Sequence, residues 1–339
     1  MGSPEDSINK KKKLIIQIPC LNEEEQLPET LSELPREVPG IDVVEWLVID
    51  DGSTDDTIET AFQNGVHHVV RLPQNRGLAS AFQAGLDAAL KLGADIVVNT
   101  DADNQYSSSD IPKLVEPIVQ GRADLVIGDR DTKNIDEFSS LKKKLQSLGS
   151  GLVRWVSKTQ VADATSGFRA YSRDAALQLS VVNQYTYTIE SIIQAGRSNA
   201  AIESVVVGTN PSTRPSRLFG SMWGYVRKNA LTIVRVFAAY KSLRFFGAIS
   251  ALLFLAATIS FMPFLIDWIF NGQTSGHVQS LILGAVFALA GFQILVLAFI
   301  ADLIAAHRTV TQRVFERVRR IELALEIEPS HYLDSKDDL

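Results

Sequence analysis

Asp101 and Asp103, in Asn99-Thr100-Asp101-Ala102-Asp103-Asn104-Gln105, stand two residues apart just after the apolar run Ile96-Val97-Val98. If that run is a buried strand, both carboxylates leave its end together and can reach one divalent cation. Mg²⁺ and Mn²⁺ take oxygen ligands, and Mg²⁺ is commonly held by one or two carboxylates plus substrate phosphates. The chemistry suggested is therefore chemistry on a diphosphate. A lone Asp-x-Asp also occurs as a solvated turn, so its neighbours decide its meaning.

Four other polar clusters follow short apolar runs. Pro19-Cys20-Leu21-Asn22-Glu23 comes after Leu14–Ile18, and Asp50-Asp51-Gly52-Ser53-Thr54-Asp55-Asp56 after Trp46–Ile49. Asn75-Arg76-Gly77 follows Val66–Val70, and Gly128-Asp129-Arg130 follows Leu125–Ile127. Helical periodicity over Leu27–Leu34, Thr57–Asn64, Leu78–Leu92 and Ile111–Val119 alternates with these runs. Such βαβα alternation predicts a mainly parallel sheet covered by helices on both faces, with ligands at the carboxyl ends of the strands. Ser53 or Thr54 is expected to cap the next helix, with Asp55 and Asp56 at its positive end. Ala81 and Gly85 are small enough for close helix–sheet packing. Neither G-x-G-x-x-G nor G-x-x-x-x-G-K-[ST] follows a strand, which excludes the common dinucleotide and P-loop sites.

Composition bounds the rest. The 339 residues are 46% hydrophobic with a formal charge of −6, which gives no nucleic-acid signature. One cysteine, Cys20, excludes an intrachain disulfide and suits a cytosolic catalytic part. The start, 1–13, is polar, ends in Lys10-Lys11-Lys12-Lys13 and does not read as a secretory leader. It is a solvated tail or a contact for anionic lipid. Leu243–Phe270 and Val278–Ala301 each exceed the ~20 apolar residues needed to cross a bilayer. A short polar turn, 271–277, joins them into a hairpin. No Lys or Arg occurs from Phe245 to Ala306, whereas basic residues crowd both flanks. The positive-inside rule puts both flanks, and hence both termini, in the cytoplasm.

Taken in order, Ile18-Pro19-x-x-Asn22-Glu23, Asp50-Asp51-Gly52-Ser53, Asn75-x-Gly77, Asp101-Ala102-Asp103-x-Gln105 and Thr165-Ser166-Gly167-Phe168-Arg169 resemble the motifs of family 2 glycosyltransferases. The likeness is strongest to the dolichol-phosphate mannose synthase branch and its bacterial polyprenyl-phosphate relatives. It covers about Leu14 to Leu218. It implies an α/β GT-A fold (Rossmann-like, with a mainly parallel sheet), a nucleotide-sugar donor and Mg²⁺ or Mn²⁺. Pro19, Leu21, Glu23, Ile49 and Asp51 would line the nucleotide pocket. Asp101 and Ala102 would meet the ribose and diphosphate, and Asp103, supported by Gln105, would hold the metal with Asp101 beside it.

A lipid phosphate acceptor needs no base, because a phosphate monoester with a second pKa of ~6 is largely ionised at pH 7. Cations must then bring two anions together. Arg130 is a candidate for this and for nucleotide-sugar binding, or else pairs with Asp129 or Asp131. Arg169 is another, and Ser166, Arg214 and Arg217 are candidates for the lipid phosphate. Because they join the catalytic domain to the membrane segment, a phosphate role is favoured for Arg214 and Arg217 over a simple positive-inside flank. Asp163 and Glu190 position the acceptor or the metal, or serve as ion-pair partners. Segment 208–214, Gly-Thr-Asn-Pro-Ser-Thr-Arg, departs from the Gly-Glu-Ser-Lys loop of many relatives.

The expected layout is a tail at 1–13, a catalytic domain at 14–212, juxtamembrane amphipathic helices lying in the interface at 213–242, and a transmembrane hairpin at 243–305. A cytoplasmic amphipathic helix and tail follow at 306–339, packing on the catalytic domain or on another subunit of a homo-oligomer. The expected function is an inverting transfer from UDP-glucose, UDP-GlcNAc or GDP-mannose to undecaprenyl or dolichyl phosphate. The alternatives are another membrane acceptor, a polysaccharide synthase or a degenerate membrane scaffold. Arg154-Trp155 fails the synthase Q-x-x-R-W signature because Gly151 precedes it. The intact acidic motifs speak against the scaffold.

Overall fold

The computed structural model describes residues 11–130, 161, 163–181, 187–210, 238, 241–272 and 276–333. It divides into two compact units, Met1–Phe219 with Gln312–Leu339, and Gly220–Thr311. Arg214, Arg217 and nearly all of the expected juxtamembrane segment lie outside the described residues.

The first unit is built on β1 (Lys13–Cys20), β2 (Val43–Asp50), β3 (His68–Arg71), β4 (Ile96–Asn99), β5 (Leu125–Asp129), β6 (Arg169–Ser172), β7 (Ile202–Val206) and β8 (Tyr332–Leu333). They form one sheet in the order β7-β5-β6-β4-β1-β2-β3-β8. β1 lies parallel between β2 and β4. Both of its faces are buried, which is why its sequence is an apolar run and not an alternation. Leu14, Ile16 and Ile18 join a core beneath α1 (Leu27–Glu33), α2 (Thr57–Gln63) and α4 (Ile111–Val119). Ile15 faces the opposite core, under α3 (Leu78–Lys91), α5 (Arg173–Gln178) and α6 (Tyr187–Arg197). The expected five strands and four helices are all present. β3 starts at His68, because Val66 ends α2 instead: Gly65 N–H donates to Phe62 O and Val66 N–H to Ala61 O, with Gly65 at φ 75°.

β6 and β8 run antiparallel to their neighbours. β6 is inserted between β4 and β5, setting Arg169 opposite Asn99. β8 extends the β3 edge, pairing Val70 with Tyr332. The helix before β8 carries Arg319, which is 4% exposed. Its Nε donates to Asp87 Oδ1 (3.1 Å), and its Nη1 donates to the carbonyls of Leu179 (2.6 Å) and Leu177 (3.2 Å) at the end of α5. Lys91 bridges to Glu322, and His68 lies between Glu45 Oε2 and the Tyr332 hydroxyl, at 2.7 Å from each.

The second unit contains α7 (Ser242–Asn271) and most of α8 (Val278–Ala324). Both are long and apolar enough to cross a membrane. Within it Ser250 Oγ donates to Gly291 O (2.8 Å), and Gly284 lies against Phe261, whose ring a Cβ would approach to 2.6 Å. Gly272, at φ 61°, ends α7, and His277 Nε2 lies 2.6 Å from Asp267 Oδ2. α8 runs as one helix through residue 305 to Ala324, and its last turns are grouped with the first unit.

Candidate active site

The loops after β1, β2 and β3 are tied together at the carboxyl edge of the sheet. Asn22, left-handed at φ 55°, donates its N–H to Ser53 Oγ (2.9 Å) and accepts from Thr54 N–H through Oδ1 (2.8 Å). Glu23 N–H reaches Thr57 Oγ1 (2.9 Å). Ser53 and Thr54 therefore serve the first loop and do not cap α2. Asp55 Oδ1 accepts Thr57 N–H and hydroxyl instead. Asp50 Oδ1 accepts Ser53 N–H (3.0 Å). The Asp51 carboxylate accepts the N–H groups of Arg76 and Gly77, both at 2.8 Å, and so fixes the Asn75-Arg76-Gly77 turn. Burial pushes the Asp51 carboxyl up, with the two N–H bonds opposing it. Gly52, at φ 78°, passes so close that a Cβ would stand 2.6 Å from the backbone of Gln74.

Asp101 and Asp103 follow β4. Burial first, and the Asp103 charge second, push the Asp101 carboxyl up to about 7. Asp103 Oδ1 accepts Gln105 N–H (3.2 Å). The loop between is pinned from two sides. Thr30 Oγ1 donates to Ala102 O (2.7 Å), and Asn210 donates to Asn104 O and Gln105 O, both at 3.0 Å. Among the described residues no group of three or more His, Cys, Asp or Glu forms a ready cage. Two neighbouring carboxylates suit a cation whose remaining positions are filled by water and phosphate, and such a cation would offset both the burial and the Asp103 repulsion that raise Asp101. The residues present thus fit Mg²⁺ or Mn²⁺.

The third wall comes from the β6 insertion. Arg130 donates Nε to Asp163 Oδ2 (2.7 Å) and Nη2 to Thr165 Oγ1 (2.9 Å), and its guanidinium stands 5.9 Å from the Tyr106 ring centre. Asp163 also accepts the N–H groups of Thr165 and Ser166. Burial acts to raise the Asp163 carboxyl, but the Arg130 bond and charge outweigh it and hold it below the usual carboxylate range. Asp163 thus braces the Thr165-Ser166-Gly167 turn.

Arg169 and Ser166, expected to meet anions, both lie inside the protein. Arg169 is wholly buried, and its guanidinium donates to the carbonyls of Ser166, Thr188 and Ala164 and to Ser191 Oγ. It organises the turn from inside and does not face an anion, because β6 directs its side chain into the core. Ser166 is likewise fully buried and offers no surface to a lipid phosphate. Ile49 packs in the α3-side core, where a Cβ on Gly85 would stand 2.6 Å from its Cδ1. Pro19 is buried, and Leu21 and Glu23 are half-buried in the first loop. Glu190 is buried in α6 and accepts from Gln194 (3.3 Å). Sequence reasoning missed Tyr106, whose hydroxyl accepts Gly167 N–H (3.0 Å), although it directly follows Gln105.

The family described as glycosyl transferase family 2 matches residues 15–179. A UDP-N-acetylglucosamine--dolichyl-phosphate N-acetylglucosaminyltransferase of Methanococcus voltae is 31% identical over 214 residues, covering 57% of this chain and 83% of the relative. An undecaprenyl-phosphate mannosyltransferase of Micrococcus luteus is 32% identical over 200 residues, covering 56% and 80%. Among solved structures, glucosyl-3-phosphoglycerate synthase from Mycobacterium tuberculosis, in complex with Mn²⁺, UDP-glucose and phosphoglyceric acid, superposes with a TM-score of 0.50 at 26% identity. That match covers 66% of this chain and 79% of the other.

Proposed function

The chain belongs to glycosyl transferase family 2, and from that premise we propose that it transfers a sugar from a nucleoside diphosphate to a polyprenyl phosphate at a membrane surface. The observation that carries this reading is the Asp101/Asp103 pair, set between the Asp51-held loops and the Arg130–Asp163 wall. In the reaction an acceptor phosphate oxygen bonds to the anomeric carbon while the bond from that carbon to the diphosphate breaks, with inversion. No proton need be removed from an acceptor that is already ionised. Asp101 and Asp103 would hold Mg²⁺ or Mn²⁺, which neutralises the departing diphosphate when bound. Asp51 keeps the loops around the nucleotide in place, and half-buried Arg130 supplies a fixed positive charge toward the phosphates.

The two apolar helices support a membrane acceptor. The absence of Lys and Arg from Phe245 to Ala306, between flanks rich in both, supports a hairpin with both flanks in the cytoplasm. The solved structure with phosphoglyceric acid favours a second reading, a soluble phosphate acceptor on the same site.

Purified full-length protein with Mn²⁺ or Mg²⁺ is offered UDP-glucose, UDP-GlcNAc and GDP-mannose. The acceptors are undecaprenyl phosphate, dolichyl phosphate, diacylglycerol and 3-phosphoglycerate. Mass spectrometry should find a glycosylated polyprenyl phosphate, absent with Asp103→Ala. No glycolipid from any donor would overturn the reading, and product on phosphoglycerate alone would replace it with the second.

A further inference from the structure

We propose that Asn99 is a positioning residue that sets where the Asp101 carboxylate stands, acting through Gly167 and Tyr187. The inference rests on the reading of Asp101 and Asp103 as cation ligands. Asn99 is the last residue of β4 and is 0% exposed, in a strand otherwise made of Ile and Val. A buried amide costs several kcal/mol unless its hydrogen bonds are met, so its partners identify its task.

Those partners converge on one place. Asn99 Oδ1 accepts from Gln17 Nε2 (2.9 Å), while Nδ2 donates to Gly167 O and to the Tyr187 hydroxyl, both at 3.0 Å. Only the amide nitrogen can donate to the Gly167 carbonyl, so the network fixes the orientation of the amide. Tyr106 accepts the Gly167 N–H on the opposite side. The Gly167 backbone is thus gripped at both its N–H and its carbonyl.

Gly167 in turn bounds Asp101. A Cβ at Gly167 would stand 3.2 Å from each Asp101 oxygen and 2.8 Å from the Tyr187 hydroxyl. Among the described residues no group donates a hydrogen bond to the Asp101 carboxylate, and the Gly167 backbone lies against both of its oxygens. The register supplies the link: β6 lies beside β4 with Arg169 opposite Asn99, which brings the preceding turn next to the loop that leaves β4. Asn99 therefore transmits the position of the sheet to the cation ligand through one glycine.

The test uses the full chain in detergent, with Asn99→Asp and Tyr187→Phe. The first turns a donor into an acceptor facing Gly167 O. The second removes only the hydroxyl and leaves the ring stacked on Phe82 at 4.0 Å. Mn²⁺ binding is followed by electron paramagnetic resonance, with UDP or GDP present, beside melting temperature, kcat and the KM for acceptor. Residues that orient metal ligands typically change affinity or activity by about 10- to 100-fold. We expect the Mn²⁺ dissociation constant to rise and kcat to fall on that scale, with acceptor KM unchanged and the protein folded. Folded variants that bind Mn²⁺ with the wild-type constant, even if they melt earlier, would overturn the inference. If Asn99→Asp does not fold, Tyr187→Phe alone decides. Wild-type protein that binds no Mn²⁺ with either nucleotide would sink the metal reading itself, a result separable from failure of the variants alone.

Discussion

Replacing Arg319 by Met tests how the C-terminal segment is held on the catalytic unit. In the wild type the guanidinium is buried, and its Nη1 meets the Leu179 and Leu177 carbonyls at the end of α5. Methionine preserves the packing of the stem but leaves both carbonyls without a donor, at about 1–2 kcal/mol each when water cannot replace it. Asp87, a third exposed, regains water and adds well under about 1 kcal/mol. The sum is about 2–4 kcal/mol, and for a unit of this size each kcal/mol moves Tm by about 2–4 °C. Arg319→Met should therefore melt about 5–15 °C below wild type, whereas Asp87→Asn alone should stay within about 3 °C. Amide exchange at Val69, Val70 and Arg71, the stretch paired with β8 and bonded to His331 O, should accelerate in Arg319→Met. Melting within about 2 °C of wild type, with exchange unchanged, would refute the reasoning. An Asp87→Asn variant as damaged as Arg319→Met would show that the ion pair, and not the carbonyls, holds the segment.

Two further outcomes follow from the packing. The His68 bond holds the Glu45 carboxylate down at about 2 against the effect of burial, with Lys13 assisting. Its folded value lies below the unfolded 4.5, so the stability it contributes is complete above about 4.5 and disappears as pH falls through about 2. Wild type should lose about 1–3 kcal/mol more than Glu45→Gln between about pH 5 and pH 2 in chemical denaturation, and parallel losses would contradict the assignment. Gly85→Ala places a methyl 2.6 Å from Ile49 Cδ1 and 2.8 Å from Gln17 Oε1. It should cost about 1–3 kcal/mol in the melt; an unchanged Tm would mean that α3 can lift from the sheet without penalty.

Much of the fold was legible because a strand buried on both faces must be an apolar run, and β1, β2, β4 and β5 are such runs. β6 was not, since Arg169-Ala170-Tyr171-Ser172 carries its charge into the core, where four acceptors neutralise the cost. β8 is only two residues long and is defined by its partner. At the candidate site the carboxylates were legible because acidic residues at strand ends have few purely local uses. Their supports were not. Asp51 with Gly77, and Gly167 with Asn99 and Tyr106, become neighbours only through strand order. Arg169 and Ser166 were misjudged for the same reason: residue type suggests anion binding, whereas the antiparallel insertion decides which way they face.

The segment that bears Arg319 and β8 has a consequence in time. It is translated after α7 and most of α8, roughly 100 residues behind β7, and synthesis at about 5–20 residues per second delays it by on the order of 5–20 seconds. During that interval the β3 edge has no strand beside it and the last turn of α5 lacks its cation. The sheet of the first unit can therefore be completed only after both long apolar helices have been synthesised.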